Sequence, residues 1–88
     1  MNGYTIEFHV ACPVNGVRVK YTLRIETPAR LMLPVEQLVA EIEAIEGDPA
    51  FHEDLADRLA SKFPGKQTMK AHHHGVDIET IREGEPSE

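Results

Sequence analysis

The only cysteine of this 88-residue chain, Cys12, lies in the segment ACPVNG, where a proline and a glycine favour a turn. A thiol on a turn is partly exposed, and a neighbouring histidine or carboxylate can assist it as a nucleophile. His52 and Glu53 are adjacent in the sequence and supply both groups. The residue types therefore favour cysteine chemistry, provided that the fold brings these two segments together.

Two segments with strictly alternating apolar residues predict the strands that hold Cys12. The first has Tyr4, Ile6, Phe8 and Val10 on one face, and the second has Val17, Val19, Tyr21, Leu23 and Ile25. Asn15-Gly16 lies between them and predicts a hairpin with a type I′ turn, because both residues tolerate positive φ. The first two strands are therefore expected to be antiparallel neighbours.

Two helices are predicted next. Pro34 suits the first turn of a helix with a buried face formed by Val35, Leu38, Val39, Ile42 and Ile45. Asp48 can cap a second helix with Pro49 at its first position and a buried stripe of Phe51, Leu55, Leu59 and Phe63. The glutamates of the first helix, Glu36, Glu41, Glu43 and Glu46, are interpreted as a solvated face. Met32 and Met69 are expected to fill the core.

Residues 66–71 predict a third strand, residues 72–75 a turn and residues 76–81 a fourth strand. The order ββααββ predicts an α+β fold in which an antiparallel sheet carries two helices on one face. Residues 1–82 form a single domain in this interpretation, and residues 83–88 form a polar tail. A core this small and open sheet edges favour a homo-oligomer that assembles through those edges.

Composition narrows the function classes. The formal net charge of -6 argues against a general affinity for nucleic acid, because that affinity comes from Lys and Arg neutralising phosphates. A single cysteine permits no internal disulfide, and no apolar run reaches the roughly 18 residues that a membrane span requires. We expect a cytoplasmic protein with no membrane partner and no recognisable signal peptide.

The segments that begin at Cys12-Pro13 and at residues 51–54, Phe-His-Glu-Asp, resemble those of the QueF-type nitrile reductases of queuosine biosynthesis. These enzymes belong to the tunnelling-fold (T-fold) group, so the resemblance implies sheets joined into a barrel with sites between subunits. It also implies a purine-like or pterin ligand. By this resemblance Cys12 adds to the nitrile of 7-cyano-7-deazaguanine, His52 carries protons and Glu53 anchors the purine-like edge.

Two family features differ in this chain. The family aspartate that supplies a proton to the thioimide is absent, because Val17-Arg18-Val19 occupies that stretch. Residues 30–34, Arg-Leu-Met-Leu-Pro, do not reproduce the nicotinamide-binding segment. We therefore expect no NADPH and no other cofactor, and an amidine-forming addition to a nitrile is favoured over reduction. A non-catalytic module that binds a ligand or supports assembly is the alternative.

A second resemblance is to the metal-dependent GTP cyclohydrolases of the IB type, which share the fold. It rests on residues 48–54 and on the histidine triplet at residues 72–74. Cys12, His72 and His74 would then bind zinc and activate water. The simpler interpretations are a polar turn for the histidines, a buried apolar thiol for Cys12, and a favourable charge near a helix start for Glu53.

Overall fold

The structure is a computed structural model that describes residues 1–84, and it confirms the predicted α+β order ββααββ. The elements are β1 (Asn2–Ala11), β2 (Arg18–Thr27), α1 (Val35–Glu46), α2 (His52–Lys62), β3 (Gly65–His73) and β4 (Val76–Gly84). The strands form one antiparallel sheet in the order β1-β2-β3-β4. Strand β4 includes Glu83 and Gly84, which were expected in the tail, and residues 85–88 lie outside the described residues.

Both helices pack on one face of the sheet, α1 over β1 and α2 over β3 and β4. The predicted alternation holds, because Phe8 and Val10 of β1 and every second residue of β2 from Val19 to Thr27 are buried. Charged side chains such as Lys20 and Arg24 occupy the other face. None of the helices in the described part of the chain is both long and apolar enough to cross a membrane.

The first hairpin is present, but its connection is longer than the predicted two-residue turn. Residues 12–17 connect the strands, and Gly16 N–H donates to Cys12 C=O at 2.8 Å. Gly16 has φ +74°, whereas Asn15 is not at positive φ, and its Oδ1 accepts from Val17 N–H at 3.0 Å. The prediction of a type I′ turn here was wrong, and Val17 lies outside the strand, 49% exposed.

The turn between β3 and β4 has the geometry that was expected at the first hairpin. His74 and Gly75 connect the two strands, with φ values of +53° and +77°. Positive φ at both central residues is what a type I′ turn requires. Strand β3 therefore continues through His73, so that only the last histidine of the triplet belongs to the turn.

Helix α2 begins at His52, three residues later than the predicted first position at Pro49. Phe51 precedes the helix in an extended conformation, and no side chain caps this end. In the segment before the helix, Ala50 N–H donates to Ala11 C=O of β1 at 3.2 Å. That bond holds the segment before α2 against the end of β1.

The buried faces of the helices differ in detail from the prediction. Leu38, Ile42 and Ile45 of α1 are buried as expected. Some apolar residues predicted to be buried are instead exposed: Met32 (80%), Val35 (48%), Val39 (40%) and Phe51 (49%). In α2 the later helix start turns His52 inward in place of Phe51.

Gly65 fixes the connection between α2 and β3, and we predict that Gly65→Ala destabilises the fold more than Gly16→Ala. Both glycines have positive φ, which costs other residues about 1–2 kcal/mol. A Cβ at residue 65 would also lie 2.6 Å from the Glu26 carbonyl oxygen, whereas residue 16 has open space around it. Urea unfolding of both variants measures the difference, and equal losses of unfolding free energy would contradict the packing argument.

Candidate functional site

A cavity of about 130 Å³ lies where the β1–β2 connection, the start of α2 and the end of β3 meet. It contains the three site residues predicted from the sequence. Its lining consists of Cys12, Pro13, Val19, Tyr21, Ala50, Phe51, His52, Glu53, Ala71, His73 and Ile78. The fold therefore joins the cysteine segment and the Phe-His-Glu-Asp segment, which are about forty residues apart in the chain.

Cys12 lies directly after β1 and is half-buried against the core. Its backbone is fixed on both sides, because Cys12 N–H donates to Val17 C=O and Cys12 C=O accepts from Gly16 N–H, each at 2.8 Å. Two short bonds within a hairpin connection restrict the position of the attached thiol. A thiol that is fixed in place and partly exposed is suited to react with a molecule in the cavity.

His52, the first residue of α2, is buried and forms part of the cavity wall. Its Nε2 lies 2.9 Å from Thr80 Oγ1, and its buried Nδ1 has no hydrogen-bond partner among residues 1–84. Burial lowers the pKa of His52, although the Glu53 carboxylate opposes this effect. The ring is therefore held neutral near pH 7, and its predicted role as a proton carrier stays a prediction.

Glu53 follows His52 in the first turn of α2 and is exposed at the edge of the cavity. A carboxylate is favourable here because the N-terminus of a helix carries a partial positive charge. Its charge acts on two other residues of the cavity wall: it adds to burial in raising the pKa of Tyr21, and it opposes burial, which lowers the pKa of His52. An ionised carboxylate at this edge can accept N–H groups from a bound molecule.

Tyr21 is a cavity residue that the sequence reasoning assigned only to the core. Its ring stacks on Phe8, with centroids 5.3 Å apart, and contacts the His52 ring at the same centroid distance. Burial raises the pKa of Tyr21, and the nearby Cys12 and Glu53 add to that shift. The signal available in the sequence was a hydroxyl on an inward-facing position of β2, where a purely apolar residue was expected.

The three consecutive histidines lie in different surroundings. His72 points to the helix-free face of the sheet, where its Nδ1 lies 2.7 Å from Asp77 Oδ1. His74 contacts Asn15 on the neighbouring hairpin, with Nδ2 and Nε2 2.9 Å apart. His73 is the one that shares the cavity with Cys12. Within residues 1–84, no three histidine, cysteine, aspartate or glutamate side chains are grouped to hold a metal ion.

Two larger concavities lie on the helix-free face of the sheet, and a third, of about 310 Å³, lies between the two helices and is lined by residues that include Glu41 and Lys62. One of about 490 Å³ is lined by residues that include Lys20, Thr22, Lys70 and His72, and another of about 350 Å³ includes Arg24 and Thr68. Neither contains a cysteine, and their cations are close to acidic side chains, as Lys70 is to Glu79 at 3.6 Å. We place the candidate site by its chemistry, at the smaller cavity.

Fold and site together define a single-sheet α+β protein with a thiol, two imidazoles, a phenol and a carboxylate around one small cavity. Comparison with protein-family models, curated proteins and solved structures finds no match to this chain.

The buried imidazole predicts a pH dependence of stability. Because the pKa of His52 is lowered from 6.5 in the folded protein, the unfolded chain binds a proton more readily just below that pH. The contribution of His52 to stability is therefore complete above pH 6.5 and decreases as the pH falls below it. We expect the free energy of unfolding to fall between about pH 7 and pH 5, and this slope to be smaller in His52→Gln.

Urea unfolding at several pH values measures how the free energy of unfolding changes with pH in the unmodified protein and in His52→Gln. His9→Gln is the matched control, because His9 is exposed on the helix-free face of the sheet. Equal slopes in His52→Gln and the unmodified protein would contradict a neutral, buried His52.

Proposed function

We propose that this protein binds a 7-deazaguanine, purine or pterin-type ligand and that Cys12 adds to a nitrile on it, in an amidine-forming reaction. The observation that carries the proposal is the shared cavity of Cys12, His52 and Glu53. These are the residues whose segments resemble the QueF-type enzymes. The proposal does not require a nicotinamide cofactor, because the addition of a thiol to a nitrile is neither a net oxidation nor a net reduction.

Cys12 and Glu53 each have a defined task in this reaction. The Cys12 sulfur attacks the nitrile carbon and forms a covalent thioimide, and an amine can then displace the sulfur to give an amidine. Glu53 accepts two N–H groups of a guanine-like edge, which orients the nitrile toward the sulfur. The apolar part of the lining, with Val19, Ala71 and Ile78, provides a surface for a flat heterocycle.

We propose further that a second copy of the chain completes the site. A cavity of about 130 Å³ is below the roughly 300 Å³ at which small-molecule pockets begin. Exposed apolar side chains occur at the same end of the sheet: Val14 (78%), Val17 (49%), Phe51 (49%) and Val76 (57%). A second subunit over this end would cover these side chains and enlarge the cavity.

The free edges of the sheet support association through the strands. Strands β1 and β4 are the outer strands among the described residues. Part of β1 is already occupied, because His9 N–H donates to Glu46 Oε2 at 3.0 Å and Ala11 C=O accepts from Ala50 N–H. Outward backbone groups alternate along an edge strand, so those of Gly3, Thr5 and Glu7 remain available for pairing.

The proposed addition predicts a covalent adduct. Intact-mass measurement after incubation with 7-cyano-7-deazaguanine should show a mass increase equal to one whole ligand, and Cys12→Ala should show none. Because Cys12 is the only cysteine, every thiol adduct reports this site. 7-Deazaguanine without the nitrile is the control ligand, and it should bind without a mass change.

Glu53→Gln tests the anchoring role, with Asp54→Asn as the matched control in the same helical turn. Loss of a charged hydrogen bond costs about 1.5–3 kcal/mol, so ligand affinity should fall about 10- to 100-fold in the first variant only. Calorimetric titration with 7-deazaguanines, GTP and pterins measures the ligand affinity of both variants. Binding without any adduct would point to the non-catalytic module, and neither binding nor adduct would contradict the proposed function.

The proposed association through the edge strands predicts an oligomer in solution. In sedimentation experiments at tens of micromolar, the protein should be larger than its 9.9 kDa chain, and Thr5→Pro should shift it toward the monomer. Proline removes an outward N–H from the edge strand, whereas Thr5→Val retains that N–H and is the matched control. Far-UV circular dichroism checks that the sheet persists. A monomeric unmodified protein at high micromolar concentration would contradict association through the edges.

A further inference from the structure

Tyr21 lines the cavity, and the packing of its ring fixes its position. The side chain is 4% exposed, and its ring is held between Phe8 and His52, with centroids 5.3 Å from each. None of the side-chain hydrogen bonds formed within residues 1–84 uses this hydroxyl, whereas the Tyr4 hydroxyl accepts from Leu33 N–H at 3.1 Å. Tyr21 therefore has a fixed position and a free donor.

Addition of a thiolate to a nitrile creates a need for a proton. As the sulfur–carbon bond forms, one carbon–nitrogen π bond breaks and its electron pair moves to the nitrogen, which becomes strongly basic. The chain lacks the aspartate that supplies this proton in the enzymes it resembles, because residues 17–19 are Val-Arg-Val. Another donor in the cavity must therefore take that role.

The other polar side chains of the cavity are less suited to donate this proton. Glu53 has the role of accepting N–H groups from the ligand. His52 has its Nε2 next to Thr80 and its Nδ1 buried. His73 is half-buried at the end of β3, where its ring contacts the His74 ring in a tilted arrangement with centroids 4.1 Å apart. His73 is thus the main competitor of Tyr21.

We propose that the Tyr21 hydroxyl donates the proton to the nitrile nitrogen as Cys12 adds to the nitrile carbon. Tyr21 would then be a catalytic residue that contacts the reacting group. The tyrosinate regains a proton from water, which also takes the proton released by the Cys12 thiol, so that the step is a net addition with no oxidant or reductant. This inference rests on the proposed function.

The electrostatics of the cavity fit this role. Burial raises the pKa of Tyr21, and negative charge at Cys12 and Glu53 raises it further. The phenol therefore keeps its proton when the thiolate forms beside it. It releases that proton only to a strong base, such as the nitrogen of the developing thioimide.

Tyr21→Phe tests the inference, because it removes the hydroxyl and retains the ring between Phe8 and His52. We expect adduct formation with 7-cyano-7-deazaguanine, followed by timed intact-mass measurement, to slow by about 100-fold or more. Alkylation of Cys12 by iodoacetamide should change less than about twofold, because that reaction requires no proton on the electrophile. Tyr4→Phe is the matched control and should leave both rates unchanged.

The alternatives give different results. An unchanged adduct rate in Tyr21→Phe would overturn the inference and leave the proposed function standing. Slowing in His73→Gln alone would assign the proton to His73 and would also overturn it. The absence of an adduct in the unmodified protein would overturn the proposed function and this inference together.

A second substitution covers the case in which Tyr21→Phe does not fold. The chain has two tyrosines, so 3-fluorotyrosine incorporated in a Tyr4→Phe background occupies position 21 alone. Fluorine makes the phenol more acidic and barely changes its shape. We expect the decline of the adduct rate at high pH to move to lower pH in this protein, and an unmoved decline would overturn the inference.

Discussion

The candidate site depends on one backbone hydrogen bond, in which Ala50 N–H donates to Ala11 C=O at 3.2 Å. This bond holds the segment between the two helices against the end of β1. Phe51 is extended, and α2 begins directly after it at His52. Because Cys12 directly follows Ala11, the same contact brings the cysteine beside the first turn of α2. The cavity is a consequence of that junction.

The cavity wall carries polar groups into an otherwise apolar core. Phe8, Tyr21 and His52 form a column of rings from β1 through β2 to α2, and Thr80 of β4 lies at its end, next to His52. Burying an imidazole favours its neutral form, because desolvation penalises the charge. The result is a wall that is rigid through packing and carries a neutral imidazole and a protonated phenol. Polar groups held in this way suit a site in which charge develops during reaction.

Size and chemistry point to different parts of this molecule. A concavity of about 490 Å³ lies on the helix-free face of the sheet, where the outward residues of four strands are mainly charged or hydroxylated. Cations there lie near carboxylates, as Lys20 lies 3.3 Å from Glu7. Such exposed pairs contribute little to stability and leave no strong local charge. The smaller cavity concentrates the reactive groups: a thiol, two imidazoles, a phenol and a carboxylate.

At the helix termini and turns, the structure differs from what the local sequence predicts. Asn15-Gly16 predicts a type I′ turn, but the hydrogen bond of the Asn15 side chain to Val17 N–H supports a longer connection. His74-Gly75 has positive φ at both residues with a weaker sequence signal. Helix α2 begins after the predicted cap Asp48 and the predicted first residue Pro49, next to the contact of Ala50 with β1. Helical and strand periodicity does not include contacts of this kind.

The sequence by itself determined the four strands, the two helices, their order and the inward face of β1 and β2, because alternation and helical periodicity depend only on neighbouring residues. The resemblance of two short segments also selected Cys12, His52 and Glu53. Only the tertiary structure decided that these residues share a cavity, that His52 is buried in place of Phe51, and that Tyr21 and His73 join them. Contacts between distant segments set those positions, and the pattern along one strand or helix contains no information about them.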